Sequence, residues 1–349
     1  MTTNMTTPGY VRPVRQDILA EVERELRDFL AAERKRWTAV DARAGTLLDA
    51  VTDLIEAGGK RIRPAFCVTG YLAAGGDPDR AERVVAAAAA MELLHACALI
   101  HDDVMDEADR RRGAPTVHVR HARRHQENGW RGEAHRFGES VAILAGDLAL
   151  IYSDRFMARA AGDAALWAEL RAELIVGQFM DVQAAADPTA DEQLCRWIAV
   201  TKSGRYTIER PLVMGAGLAG RTDLTAAFGR YGAAVGEAFQ LRDDLIDAFG
   251  AGPDATGKPA GLDFEQHKMT LLMTLAVRHD PRIRDLQAGG ADAARLRALL
   301  VETGTRAEIE AHIGRLTDQG CRALDDAPLD PAWRAELAAM ARQVAFRDR

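Results

Sequence analysis

The sequence predicts an all-α protein built as a single large helical bundle. Three observations carry that expectation. Segments rich in Ala, Leu, Glu and Arg recur with apolar residues at helical spacing. Runs of β-branched residues bounded by turns are scarce. Glycine and proline breakers separate the segments, yet no composition shift and no fixed-period repeat divides the chain. The 349 residues allow one large domain or two ordinary ones, and the uniform pattern favours one, over 16–349.

The elements follow in order. Residues 1–15, MTTNMTTPGYVRPVR, are polar and read as a flexible tail, without the apolar stretch of a secretory signal. Residues 16–36 alternate apolar and charged positions at helical spacing. Further helices are expected over 43–57, 80–104, 139–161, 163–186, 191–201, 222–249, 267–278, 292–300, 306–324 and 331–346. Gly58-Gly59, Gly75-Gly76-Asp77-Pro78, Asp187-Pro188 and Gly289-Gly290 punctuate them. Residues 250–266 form the longest Gly- and Pro-rich loop, a candidate lid. The apolar run 84–100 is interrupted by Glu92 and His95, so it reads as a buried core helix, and no membrane insertion is expected.

Net charge is −7, which argues against nucleic acid as the main partner. Cys67, Cys97, Cys195 and Cys321 form no CxxC pair. Buried reduced thiols in a cytoplasmic protein are the simplest reading.

Chemistry concentrates in two acidic motifs. LIHDDVMDEADRRRG at 99–113 carries Asp102, Asp103 and Asp106; FQLRDDLIDAFG at 239–250 carries Asp243, Asp244 and Asp247. On a helix, i and i+4 share a face, so Asp102 joins Asp106 and Asp243 joins Asp247. One such motif is as easily a solvated acidic helix end. Two copies, each closing a long apolar helix, point further. Clustered carboxylates repel unless cations sit among them, and oxygen-only ligands suit Mg²⁺ bridging to a substrate diphosphate.

The basic residues complement them. GGKRIRP at 58–64 sets Lys60, Arg61 and Arg63 after two glycines, which let backbone approach an anion. Arg111 and Arg112 form a second cluster; Lys202, Lys258 and Lys268 are further candidates. Two decoys are set aside. GPDATGKP at 252–259 has Pro259 where a P-loop needs Ser or Thr, and it follows a helix. His118, His121, His125 and His135 have metal-like spacing, but Arg120, Arg123 and Arg124 crowd them. A partly exposed loop or helix is expected there instead.

GGKRIRP, LLHACALIHDDVMDEADRRRG, GDLAL, TKSG, FQLRDDLID and GKPAGLDFEQHKMT stand in the order of the trans-isoprenyl diphosphate synthases. The similarity covers about 45–275. HACALIHDDVMD with NGWRGEAHRFGES resembles bacterial geranylgeranyl-type members most. The resemblance implies an all-α bundle around a deep central cavity, a homodimer, and three Mg²⁺ per active site. It implies condensation of an allylic diphosphate with isopentenyl diphosphate. Asp102, Asp106, Asp243 and Asp247 would hold metal, with Asp103 and Asp244 in support. Lys60, Arg63, His95 and Arg112 would bind isopentenyl diphosphate. Arg111, Lys202, Lys258 and Lys268 would contact the allylic diphosphate. Ser203 and Gln240 would sit near the reacting carbons. Two departures stand out: Ser203 where the family often has Thr, and His267 before Lys268 where it often has Gly.

Product length should follow the cavity floor. Cys97 and Ala98, one turn before Asp102, are small where short-chain members often carry an aromatic. Met91 and Leu94 lie one or two turns deeper, at roughly 1.5 Å rise per residue. This reading favours C20 over C15 or C25 and above. A class I terpene cyclase or head-to-head condensing enzyme would lack GGKRxRP. A non-catalytic subunit would be expected to lose aspartates, and all six are present.

Overall fold

A computed structural model describes residues 8–186, 192–249, 270–288 and 293–347. Its elements are almost all helical: α1 (Pro8–Thr38), α2 (Gly45–Glu56), α3 (Ile62–Ala73), α4 (Glu82–Met105), α5 (Val117–Glu127), α6 (Ala134–Ala160), α7 (Ala164–Ala186), α8 (Glu192–Ile198), α9 (Arg210–Leu218) and α10 (Thr225–Phe249). Shorter helices follow, ending with Thr305–Arg322 and Pro331–Ala345. The sheet among the described residues is a two-residue hairpin pairing Arg110–Arg111 with Ala114–Pro115.

Helix α4 runs through the interior. Ala86 to Ala90 are all at most 2% exposed, and α6 packs its Ala142, Ala145 and Ala149 against it. Small side chains on both helices permit that close approach. By length and composition α4 would suit a bilayer, but most of it is buried in the protein. Helix α10 packs on residues Ala199–Glu209 and on Thr305–Arg322.

Four expectations need correction. The chain is already helical at Pro8, where the described residues begin, and not only from residue 16. Val11, Ile18, Val22, Leu26 and Leu30 form one buried stripe, and Arg12 and Arg15 both reach Glu336 near the far end of the chain. Residues 62–73, not foreseen as a helix, form one. Phe66, Cys67, Val68 and Thr69 are all fully buried, and so long a run of successive buried residues leaves no polar stripe to mark the helical period. Helix α9 was likewise unforeseen. Finally, His118, His121 and His125 are buried on the inner face of α5, not partly exposed. They pack toward α6, and the His125 ring meets Trp130 edge-on and Phe137 at a tilt.

Candidate active site

The two acidic motifs end α4 and α10. Residues Ala199–Glu209 lie between them as a wider π-type helix, an arrangement favoured at functional sites. Gly204 and Gly236 bring this segment onto α10. A Cβ on Gly236 would stand 2.3 Å from the Gly204 Cα, so that position accepts no side chain without a backbone shift, and one on Gly204 would press on the Gly236 Cα at 3.0 Å. That contact sets Lys202 and Ser203 beside Gln240 and the second motif.

A cavity of about 470 Å³ opens among these elements. Lys60, Arg63, His95, Asp102, Arg112, Ser203 and Asp243 all line it, joined by Phe239 and Arg347. A smaller cavity of about 120 Å³ adjoins at Ser203 and is lined by Asp181, Lys202, Gln240 and Asp244. Residues far apart in sequence thus form one polar chamber. Lys258 and Lys268 lie outside the described residues, as do the 250–266 loop and the rejected GPDATGKP decoy.

The first motif is enmeshed in counter-charges. Arg111 forks onto buried Asp103, with Nε at 2.7 Å and Nη2 at 2.6 Å from Oδ1, and stands 3.6 Å from Asp102. Burial alone would lower the Arg111 pKa; Asp103, Asp102 and Asp106 more than reverse that and raise it. Lys202 Nζ bonds Asp181 at 2.7 Å and lies 3.6 Å from Asp102. Gln178 donates to Asp102 Oδ1 at 3.2 Å. Asp106 caps the end of α4.

The second motif has different company. Asp243 pairs with Arg347 from the chain's end, and Arg347 also stands over the Phe239 ring at 4.3 Å. Gln240 donates to Asp244 Oδ1 at 2.8 Å, and Asp244 is buried. Asp247 is half-buried.

The cationic wall is built from a loop and a hairpin. Gly58 takes a left-handed backbone (φ 81°), and the missing side chain of Gly59 leaves room for the Arg112 guanidinium. Arg112 donates to the carbonyls of Leu54, at 2.9 Å, and Gly58, locking the loop to the RRG hairpin. Arg63 lies over the Tyr206 ring at 4.2 Å. His95 is half-buried, and its buried Nδ1 has no hydrogen-bond partner among the described residues. Burial first, then Arg63, Arg112, Arg111 and Arg61, hold its pKa well below the usual histidine value. These surroundings favour the neutral imidazole, whose Nδ1 is left as a polar ring atom.

Among the described residues, no three His, Cys, Asp or Glu side chains converge on one metal-sized point. The donor chemistry nevertheless fits Mg²⁺: carboxylate oxygens of Asp102 on α4 and Asp243 on α10 face one cavity. Met91, Leu94 and Cys97 are buried in the core, Ala98 is half-buried, and none of the four lines the 470 Å³ cavity. Burial pushes the Cys97 thiol up to about 12.

Three participants were missed from sequence: Gln178, Asp181 and Arg347. Gln178 and Asp181 form a polar i, i+3 pair within apolar IVGQFMDV, a readable signal. Arg347 carried none.

A family model for polyprenyl synthetases matches residues 45–297. The chain is a member of the polyprenyl synthetase family. This polyprenyl synthetase is 35% identical over 266 residues to a short chain isoprenyl diphosphate synthase of Methanothermobacter thermautotrophicus, covering 71% of this chain and 72% of the relative. It is equally 35% identical, over 254 residues, to nonaprenyl diphosphate synthase of Mycobacterium tuberculosis, covering 72% and 67%. Its fold matches a geranylgeranyl pyrophosphate synthase of Corynebacterium glutamicum with a TM-score of 0.89 and 35% identity, over 95% of this chain and 98% of that one. That crystal structure holds isoprenyl diphosphate and magnesium. The relatives share the prenyl-transfer class and differ in chain length, so identity at this level leaves product length open.

Proposed function

We propose that this polyprenyl synthetase condenses an allylic diphosphate with isopentenyl diphosphate, releasing diphosphate and giving an all-trans prenyl diphosphate, chiefly C20. One observation carries the reading. A single cavity gathers the GGKRIRP cations, His95, Arg112, and the leading aspartates of both DDxxD motifs.

Each residue has a physical task. Lys60, Arg63 and Arg112 hold the isopentenyl diphosphate, and neutral His95 hydrogen-bonds to it. The allylic C–O bond breaks, placing negative charge on the departing diphosphate. Arg111 and Lys202, seated beside Asp102, stabilise that charge. Mg²⁺, three ions held by Asp102, Asp106, Asp243 and Asp247, would neutralise the diphosphate oxygens. The Ser203 hydroxyl and Gln240 carbonyl oxygen face the carbocation. The isopentenyl double bond attacks it, a C–C bond forms, and a proton leaves to the released diphosphate. Fixed orientation supplies much of the rate advantage, and apolar Phe239 and Leu99 help exclude water.

The small Cys97 and Ala98 support growth past C15. Apolar side chains left exposed on α6 (Ile143, Leu144, Ile151) and α7 (Ile175, Val176, Phe179, Val182) support a homodimer.

The test is product mass after incubation with isopentenyl diphosphate, Mg²⁺ and a dimethylallyl, geranyl or farnesyl primer. Elongation to C20 is expected; no elongation from any primer overturns the reading. Ala98→Phe should shorten the product, and an unchanged distribution removes Ala98 from the floor.

A further inference from the structure

Arg61 stands between Lys60 and Arg63, yet its charge is committed elsewhere. Its guanidinium pairs with Glu92 on α4, donates to the Ile55 carbonyl of α2 at 2.7 Å, and lies 3.4 Å from Glu23 on α1. Three helices are tied at one side chain. The pair is sheltered, with the Arg61 and Glu92 side chains 14% and 7% exposed.

The backbone of Arg61 is unusual. It is left-handed, φ 47° and ψ 39°, at the residue that caps the start of α3. A bulky residue holds that conformation only where its surroundings over-determine it, and such strain gathers at functional sites. This turn decides the direction in which Lys60 approaches and the face on which Arg63 leaves. Both line the 470 Å³ cavity, as do Glu92 and His95, which sits one turn beyond Glu92 on α4; Arg61 also borders it, but with its guanidinium bound to Glu92 and the Ile55 carbonyl. Glu92 is also a carboxylate at the edge of an anion site. Left bare it would repel a diphosphate; paired with Arg61 it does not.

We propose that Arg61 is a positioning residue for the isopentenyl diphosphate site: its ion pair with Glu92 pins the left-handed turn that splays Lys60 and Arg63 into the cavity. This rests on the isopentenyl diphosphate reading above. Arg61 acts through its neighbours and does not itself take the ligand.

A direct ligand role gives the opposite outcome in one variant. If Arg61 bound the diphosphate, Glu92 would compete for it, and Glu92→Gln would lower the KM for isopentenyl diphosphate. As a positioning pair, Glu92→Gln loosens the turn and raises that KM about tenfold, because small misplacements of binding groups are costly. The KM for the allylic primer and kcat should stay within about twofold of the parent. Arg61→Lys keeps the charge but cannot span Glu92 and the Ile55 carbonyl together, so the same KM should rise.

Both variants are compared with the unaltered enzyme, with thermal melts identifying those that fold. Isothermal titration of isopentenyl diphosphate supplies a binding constant independent of turnover. An unchanged or lowered KM in a folded variant overturns the proposal, as does an equal rise in both substrates' KM. Failure of the unaltered enzyme to elongate any primer overturns the underlying reading instead, so the two failures are distinguishable.

Discussion

The ends of α4 and α10 carry the same DDxxD pattern in unlike surroundings. At α4, Asp103 is 3% exposed and forked by Arg111, while Asp102 has Lys202, Arg111 and Gln178 around it. At α10, the Asp243 side chain is 41% exposed and its ion pair comes from Arg347, near the chain's end. The second aspartates, Asp103 and Asp244, are both buried; the leading ones differ, Asp102 set among several polar partners and Asp243 paired with a side chain from near the chain's end. Identical motifs thus differ in preorganisation, and that difference can be tested.

The largest effect is expected at the buried end. Asp102→Asn should lower kcat by roughly 10³-fold and Asp243→Asn by roughly 10²-fold, the range seen when one preorganised electrostatic group is lost. Equal losses would show that both ends are organised alike. Stability should separate them next. Asp103→Asn removes the main partner of the buried Arg111 and leaves the longer contact to Asp102, a defect worth up to about 3–5 kcal/mol. Asp243→Asn disturbs a partly exposed pair and should cost about 1 kcal/mol or less. Denaturant melts of both variants measure the gap.

A pH effect follows from the histidines near the first motif. Burial, then Arg120 and Arg124, push His121 down to about 4, and burial also lowers His118 and His95. Unfolded histidine protonates near ~6.5. Below that value the unfolded chain binds more protons than the folded one. Stability should therefore fall as pH drops from about 6.5 toward about 4, by roughly 1.4 kcal/mol per pH unit for each fully mismatched histidine. A flat stability profile across that window would contradict their burial. The smallest effect is expected for Arg347→Ala. Releasing Asp243 from its pair should lower the Mg²⁺ concentration for half-maximal activity about two- to fourfold, the worth of a partly exposed ion pair.

Much of the chamber was legible beforehand. Lys60, Arg63, His95, Asp102, Arg112, Ser203 and Asp243 were named from motifs, and the structure gathers them. Helical spacing alone placed the aspartates on α4 and α10. The failures have physical causes. Helix α3 buries every residue from Phe66 to Ala73, so that stretch lacks the alternation that marks a surface helix. The first turns of α1 hold a sparse stripe, Val11 and Ile18, inside polar sequence. The open cavity does not reach Met91, Leu94 and Cys97 on α4, and where it ends depends on how distant helices pack together.

Sequence by itself determined the helical class, the carboxylate pairs and the supply of cations, because a period of 3.6 residues and local charge are properties of neighbouring residues. Tertiary structure alone decided which charge meets which. Arg347 reaches Asp243 across 104 positions, and Arg61 reaches Glu92 across 31. No local pattern encodes such pairs. They exist because packing of apolar faces brings the helices together, and the desolvated charges must then find partners.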